Sequence, residues 1–200
     1  MVAAKLFQGL ERPLTEDDFW ALPDDENRYE IILGELYVMP PPVPAHEDIS
    51  QHLNLILLLT VGATGLGKVM TAPVGVRLTA IDVVQPDLVV VRAGREHLIG
   101  GREIDGPPDL VVEILSPSTR GKDLVKKRGQ YQNAQIPEYW IVDPENRTVD
   151  VLILDGEQYR ARPNVNGKAT SRAFPTVEVD VERLFSGELH IPATTPSTTG

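Results

Sequence analysis

Two carboxylates interrupt apolar β-rich runs, and they constrain the fold more than any other feature of the chain. Asp87 follows Pro86 and opens Leu88–Val91, while Glu113 sits inside Asp109-Leu-Val-Val-Glu-Ile-Leu115. An ionised carboxylate within a sheet is costly unless it is paired, hydrogen-bonded or bound to a cation. Two such groups ~4 Å apart repel by ~4 kcal/mol at an effective dielectric of 20, and a divalent cation reverses that sign. Hard oxygen donors favour Mg²⁺ or Mn²⁺. The chain has no cysteine, so thiolate sites are excluded and a metal must bind oxygen or imidazole. Each acid also has an ordinary alternative. Asp87 suits a strand start or turn, and Glu113 suits an edge strand or an arginine pair.

The segment Leu110–Val142 reads as strand, crossover helix, strand, which predicts one parallel pair. Around it, Thr15-Glu-Asp-Asp18 is an N-cap pattern for a short helix that Pro23 stops. Tyr29–Leu33 and Leu36–Met39 read as a hairpin turning at Gly34-Glu35, and Pro40–Pro44 is a rigid break. His46 to about Val61 carries Ile49, Leu53, Ile56 and Leu57 at helical spacing. Val69–Pro73, Val74–Thr79, Leu88–Val91, Glu138–Val142, Val149–Leu154 and Gln158–Arg162 read as strands. Ser118–Gln135 reads as a helix, Asp180–Phe185 as a short capped one, and 191–200 as a disordered tail. At 200 residues the expectation is a single α/β domain over 1–190, a central mixed β-sheet flanked by helices with an N-terminal β-hairpin.

A lysine two residues after Glu113 would share its face of the strand, but that position is Leu115. The following helix offers Lys122, Lys126 and Lys127. At 100° per residue Lys127 falls with Leu124, Tyr131 and Ala134 on the inward stripe, and Lys126 falls opposite. Lys127 is therefore the candidate to return to the acids, where its ammonium would orient water or neutralise transition-state charge; a snorkelling lysine at the helix boundary is the ordinary alternative. Glu30, between Tyr29 and Ile31, is a candidate further metal or water ligand, or else a solvent-facing hairpin residue. His46 follows the proline break and would border the cleft. Arg120, Lys122, Lys126, Lys127 and Arg128 form a local basic cluster able to meet phosphates, although such runs are usually solvated helix faces.

Other signals fall away. Gly62-Ala-Thr-Gly-Leu-Gly-Lys68 lacks the Ser/Thr of a phosphate-binding loop because Val69 follows. His46-Glu47 has its second histidine at His52, too far round the helix for a zinc-protease site. The net charge of −10 argues against a general nucleic-acid coat, though not against local basic contacts. With no leader-like N-terminus and no apolar run of membrane length, a soluble, cytoplasmic chain is expected.

The segments Thr15–Pro23, Arg28–Leu36, Gln85-Pro-Asp-Leu-Val89, Pro108–Ser118 and Ile136–Pro144 together resemble the Uma-two family of restriction endonucleases, within the PD-(D/E)XK nuclease superfamily. The resemblance implies a restriction-endonuclease-like core in which Asp87 and Glu113 are the metal carboxylates. Glu30 matches the family's acidic position in the first hairpin, and Lys127 a lysine on the helix after the glutamate strand. It further implies Mg²⁺ or Mn²⁺ as cofactor, DNA as substrate and, by analogy with related nucleases, a homodimer. The rival expectations are a non-catalytic nucleic-acid-binding module on the same fold, a regulatory interaction protein, and another metal-dependent hydrolase.

Overall fold

The computed structural model describes residues 7, 9–25, 27–116 and 121–187, with only the backbone of residues 122–124. The tail expected at 191–200, Arg120, and the side chains of Lys122 and Leu124 lie outside what is described.

Thirteen strands and four short α-helices are described, and two of the three sheets build the core. The first strands are β1 (Arg28–Ile32), β2 (Glu35–Met39), β3 (Gly67–Thr71), β4 (Gly75–Thr79), β5 (Asp82–Val84) and β6 (Leu88–Arg92). They are followed by β7 (Glu103–Asp105), β8 (Leu110–Ile114), β9 (Glu138–Asp143), β10 (Thr148–Asp155), β11 (Gln158–Arg162), β12 (Lys168–Thr170) and β13 (Glu178–Asp180). The helices are α1 (Glu16–Trp20), α2 (Pro44–Leu57), α3 (Arg128–Asn133) and α4 (Val181–Leu184).

The central sheet is mixed, in the order β11-β10-β9-β8-β6-β3. Its one parallel pair is β8–β9, the pair that the strand–helix–strand pattern predicts. Both strands are buried from end to end, as expected for strands covered on both faces. On one face Leu88, Val90, Leu110, Val112 and Ile114 pack against Ile49, Leu53, Ile56 and Leu57 of α2. This is the 3.6-residue stripe read from the sequence, meeting the alternate residues of the strands.

The opposite face is covered less by helix than the sequence predicts. Val89, Val91, Val111, Tyr139 and Ile141 meet Tyr131 of α3 and a second sheet bearing Ile32, Val76, Val84 and Ile104. That sheet runs β2-β1-β5-β4-β7. Two of its strands, β5 and β7, have only three residues each, too few to show a period in the sequence.

Three local differences have physical reasons. The first hairpin turns at Leu33-Gly34 rather than Gly34-Glu35, because both central residues hold positive φ (54° and 74°) as a two-residue turn of this hand requires. A Cβ on Gly34 would lie 2.4 Å from Pro13 Cβ, so glycine is needed there twice over. Helix α1 begins after Thr15, whose N–H donates to Asp18 Oδ2 at 2.8 Å, and ends at Trp20, ahead of Pro23. The crossover expected as one α-helix is widened to π-helical geometry over Lys122–Lys127 before α3 begins. Such widened turns are rare and concentrate at functional sites.

Candidate active site

Antiparallel β6 and β8 pair Leu88 with Val112, so one more step of the register sets Asp87 opposite Glu113. Directly opposed residues share a face, with Cβ atoms roughly 4.5–5.5 Å apart. Both side chains are buried, and both line a cavity of about 200 Å³ with Arg28, His46, Gln85 and Lys127. Residues separated by 26 positions are thus brought to one sheet end by the pairing alone.

Lys127, 1% exposed, delivers its amine to the acids. Nζ lies 2.6 Å from Glu30 Oε1 and 2.7 Å from Glu113 Oε1. Lys126 points the other way, half-exposed, to Glu35 Oε2 at 3.0 Å and the Tyr37 hydroxyl. Tyr131, one turn beyond Lys127, donates its hydroxyl to Glu113 Oε1 at 2.5 Å. Burial, together with the charge of Glu113, pushes the Tyr131 phenol well above its ordinary pKa, so it acts as a neutral donor.

Glu30 on β1 is fully buried, which removes the solvent-facing alternative. Its Oε1 accepts from Gln85 N–H at 2.9 Å as well as from Lys127. It does not line the cavity, so it holds the lysine from behind. Glu113 is likewise on an internal strand, not an edge.

Asp87 is held differently. Its Oδ1 takes Arg28 Nη1 at 2.9 Å, and its Oδ2 takes the Ile114 N–H at 2.8 Å and His46 Nε2 at 3.3 Å. Burial pushes the Asp87 carboxyl up, but the His46 and Ile114 hydrogen bonds and the Lys127 charge outweigh it and hold the pKa below its ordinary value. Burial pulls His46 down, yet the hydrogen bond and charge of Asp87 prevail and raise it. Arg28 and Lys127 thus lie among the carboxylates of Glu30, Asp87 and Glu113, with Glu47 3.8 Å from Arg28.

The sequence left Arg28 and the Tyr131 hydroxyl without roles. Arg28 begins a strand 59 residues from its partner Asp87, and no local pattern reports such a pairing. The position of Tyr131 on the inward stripe was legible, but not its donation to Glu113.

The donor set fits a hard divalent cation. Among the described residues no three of His, Asp and Glu cluster closely enough to hold a metal by side chains alone. Mg²⁺, however, commonly takes one or two carboxylates and keeps several waters. A main-chain oxygen is also at hand. Leu115 N–H reaches Val142 O, so the polar groups of Ile114 point towards β6, and its N–H there finds Asp87. The register then sets Pro86 opposite Ile114, and proline has no N–H for the Ile114 carbonyl. Two buried polar atoms without partners, His46 Nδ1 and Gln85 Oε1, belong to residues on the wall of the same cavity.

The sequence profile of the Uma2 family, described as "Putative restriction endonuclease", matches residues 16–186. The chain belongs to the Uma2 family. A crystal structure from Anabaena variabilis ATCC 29413, described as "a putative nuclease belonging to DUF820", shares the fold with a TM-score of 0.73 at 22% identity, covering 88% of this chain and 99% of that one. No curated protein matches significantly. The expected fold class thus stands for this Uma2 chain: a nuclease-like mixed sheet with an N-terminal hairpin. No described helix is long and apolar enough to cross a membrane.

Proposed function

We propose that the chain is a Mg²⁺- or Mn²⁺-dependent endonuclease that hydrolyses DNA phosphodiester bonds. The observation that carries this reading is the buried constellation itself: Asp87 and Glu113 opposed across β6 and β8, with the Lys127 amine 2.7 Å from Glu113. Asp87, Glu113 and the Ile114 carbonyl would hold the cation. Bound there, it supplies Lewis-acid polarisation and makes water acidic enough to attack near neutral pH.

The chain's own groups do the rest. Lys127 donates to the attacking water or to a phosphoryl oxygen and stabilises developing negative charge. Glu30 is a positioning residue, fixing the amine from behind. Tyr131 fixes Glu113 in one rotamer and, as a neutral donor, does not compete with a cation. The water oxygen bonds to phosphorus and gives up a proton to solvent, the bond to one sugar oxygen breaks, and that oxygen takes up a proton from solvent. A homodimer offering two such sites would cut both strands; light scattering that finds a monomer at assay concentration removes this part.

The test is cleavage of plasmid DNA with Mg²⁺ or Mn²⁺ by wild type, Asp87→Ala, Glu113→Ala and Lys127→Ala. Cleavage retained in both carboxylate variants rejects the proposal. The Arg28–Asp87 ion pair favours a second reading, a nucleic-acid-binding module whose acids are only structural. On that reading Asp87→Asn leaves both Mn²⁺ affinity and DNA affinity unchanged.

A further inference from the structure

Arg28 pairs with Oδ1, the less engaged of the two Asp87 oxygens open to a cation. The guanidinium takes Oδ1, while Oδ2 is already used by Ile114 N–H and His46. Arg28 is also the more accessible partner, its side chain 20% exposed against 7% for Asp87. It stands between two cavities. One contains Glu113 and Lys127; the other, of about 120 Å³, is lined by Glu47, Ser50, Gln51, Asn54 and Thr71. The second amine of the fork lies only 3.8 Å from Glu47 Oε1, on the side of that smaller cavity.

Two positive charges arriving beside Asp87 would compete with the guanidinium for the same oxygen and repel it. The fork matches phosphate as well as it matches carboxylate. Around its second position Ser50, Gln51, Asn54 and Thr71 are neutral hydrogen-bonding side chains of the kind that meet nucleic-acid backbones, beside the carboxylates of Glu47 and Asp87. We propose that Arg28 is a displaceable counter-ion. It holds Asp87 in the metal-free protein and passes to a non-bridging oxygen of a backbone phosphate, seated at the smaller cavity, when a divalent ion takes the carboxylate. Metal and nucleic acid are then coupled through one side chain. This rests on the reading of Asp87 as a metal ligand.

The experiment is Mn²⁺ titration of wild type, Asp87→Asn and Arg28→Gln by electron paramagnetic resonance, without DNA. Asp87→Asn is expected to lose Mn²⁺ binding, whereas Arg28→Gln binds Mn²⁺ roughly tenfold more tightly, within the usual range of coupling between sites. With Ca²⁺ in place of Mg²⁺ to prevent cleavage, Arg28→Gln binds a 20-base-pair duplex more weakly, and its log–log salt slope is shallower by about one. Arg28→Gln with unchanged or weaker Mn²⁺ affinity, beside an Asp87→Asn that has lost it, overturns the handover and leaves the metal site standing. Asp87→Asn with full Mn²⁺ affinity overturns both. Should Arg28→Gln fail to fold, the wild-type protein decides. Its Arg28 Nε–Hε NMR resonance, assigned with Arg28→Lys, shifts on addition of Mg²⁺, and a resonance unchanged at saturation overturns the proposal.

Discussion

The molecule buries carboxylates in two ways. Asp82 and Glu138 are held by neutral donors. Glu138 accepts the Trp140 indole N–H at 2.6 Å and the N–H groups of Arg172 and Ala173 at 2.8 and 2.7 Å. Asp82 accepts Leu33 N–H and the Thr79 hydroxyl. Four others have cations: Lys127 bridges Glu30 and Glu113, Arg28 covers Asp87, and Asp109, away from the cavity, takes Arg95 Nη1 at 2.9 Å. Burial of an acid therefore does not mark a site. Main-chain amides are fixed and indifferent to an arriving ion, whereas a cationic side chain competes with it and acts on a phosphate.

The sharpest way to break this contrast is a pair of isosteric changes. Asp87→Asn is expected to lower Mg²⁺-dependent cleavage by roughly 10³-fold, the scale of losing a preorganised electrostatic group. Glu138→Gln should leave the rate per folded molecule unchanged. Equal losses in both variants would mean that the distinction between the two sets of acids is false.

Stability separates the sets next. Lys127→Met leaves Glu30 and Glu113 buried without their shared cation and should cost about 3–5 kcal/mol in urea unfolding. Adding Glu30→Gln should recover part of it, since the new amide needs no counter-ion. Glu138→Ala strands an indole and two main-chain N–H groups and should cost about 1–3 kcal/mol, with a shift in Trp140 fluorescence. If Lys127→Met proves milder than Glu138→Ala, the cation-held acids are the less tightly built set.

What the sequence made legible follows from period. Helical spacing placed Ile49, Leu53 and Ile56 on the core and separated Lys127 from Lys126, and the strand–helix–strand order gave the parallel pair β8–β9. What stayed hidden was non-local or too short to be periodic. The strands β5 and β7 carry three residues each, and Arg28 meets Asp87 across 59 positions. The wheel placed Lys127 inward although the turn that carries it is π-helical, because Lys127 adjoins the regular α-turn bearing Tyr131.

A smaller effect tests the His46–Asp87 contact in protein treated with a chelator. His46 has its pKa raised in the fold, so its contribution is fully present below its ordinary value of 6.5 and is lost as pH rises through the raised value. Asp87 has its pKa lowered, so its contribution is present above its ordinary 3.8 and is lost as pH falls through the lowered value. The Tm difference between wild type and His46→Gln should therefore be greatest near about pH 5 and shrink towards pH 8. A difference that grows over that interval contradicts the assigned pair.

The smallest expected effect falls at the neighbouring lysine. Lys126 is half-exposed, pairs with exposed Glu35 at 3.0 Å and lies over the Tyr37 ring, outside the cavity. Exposed pairs of this kind contribute little because water and salt screen them. Lys126→Ala should thus leave urea stability close to that of the wild type and leave cleavage intact, while Lys127→Ala abolishes it. The two lysines have the same chemistry and differ by one position, roughly a quarter of a helical turn. If cleavage is lost in Lys126→Ala and kept in Lys127→Ala, then proximity to buried acids is not what equips a lysine for this reaction. The catalytic amine would have to reach the phosphate from the solvent side of the helix.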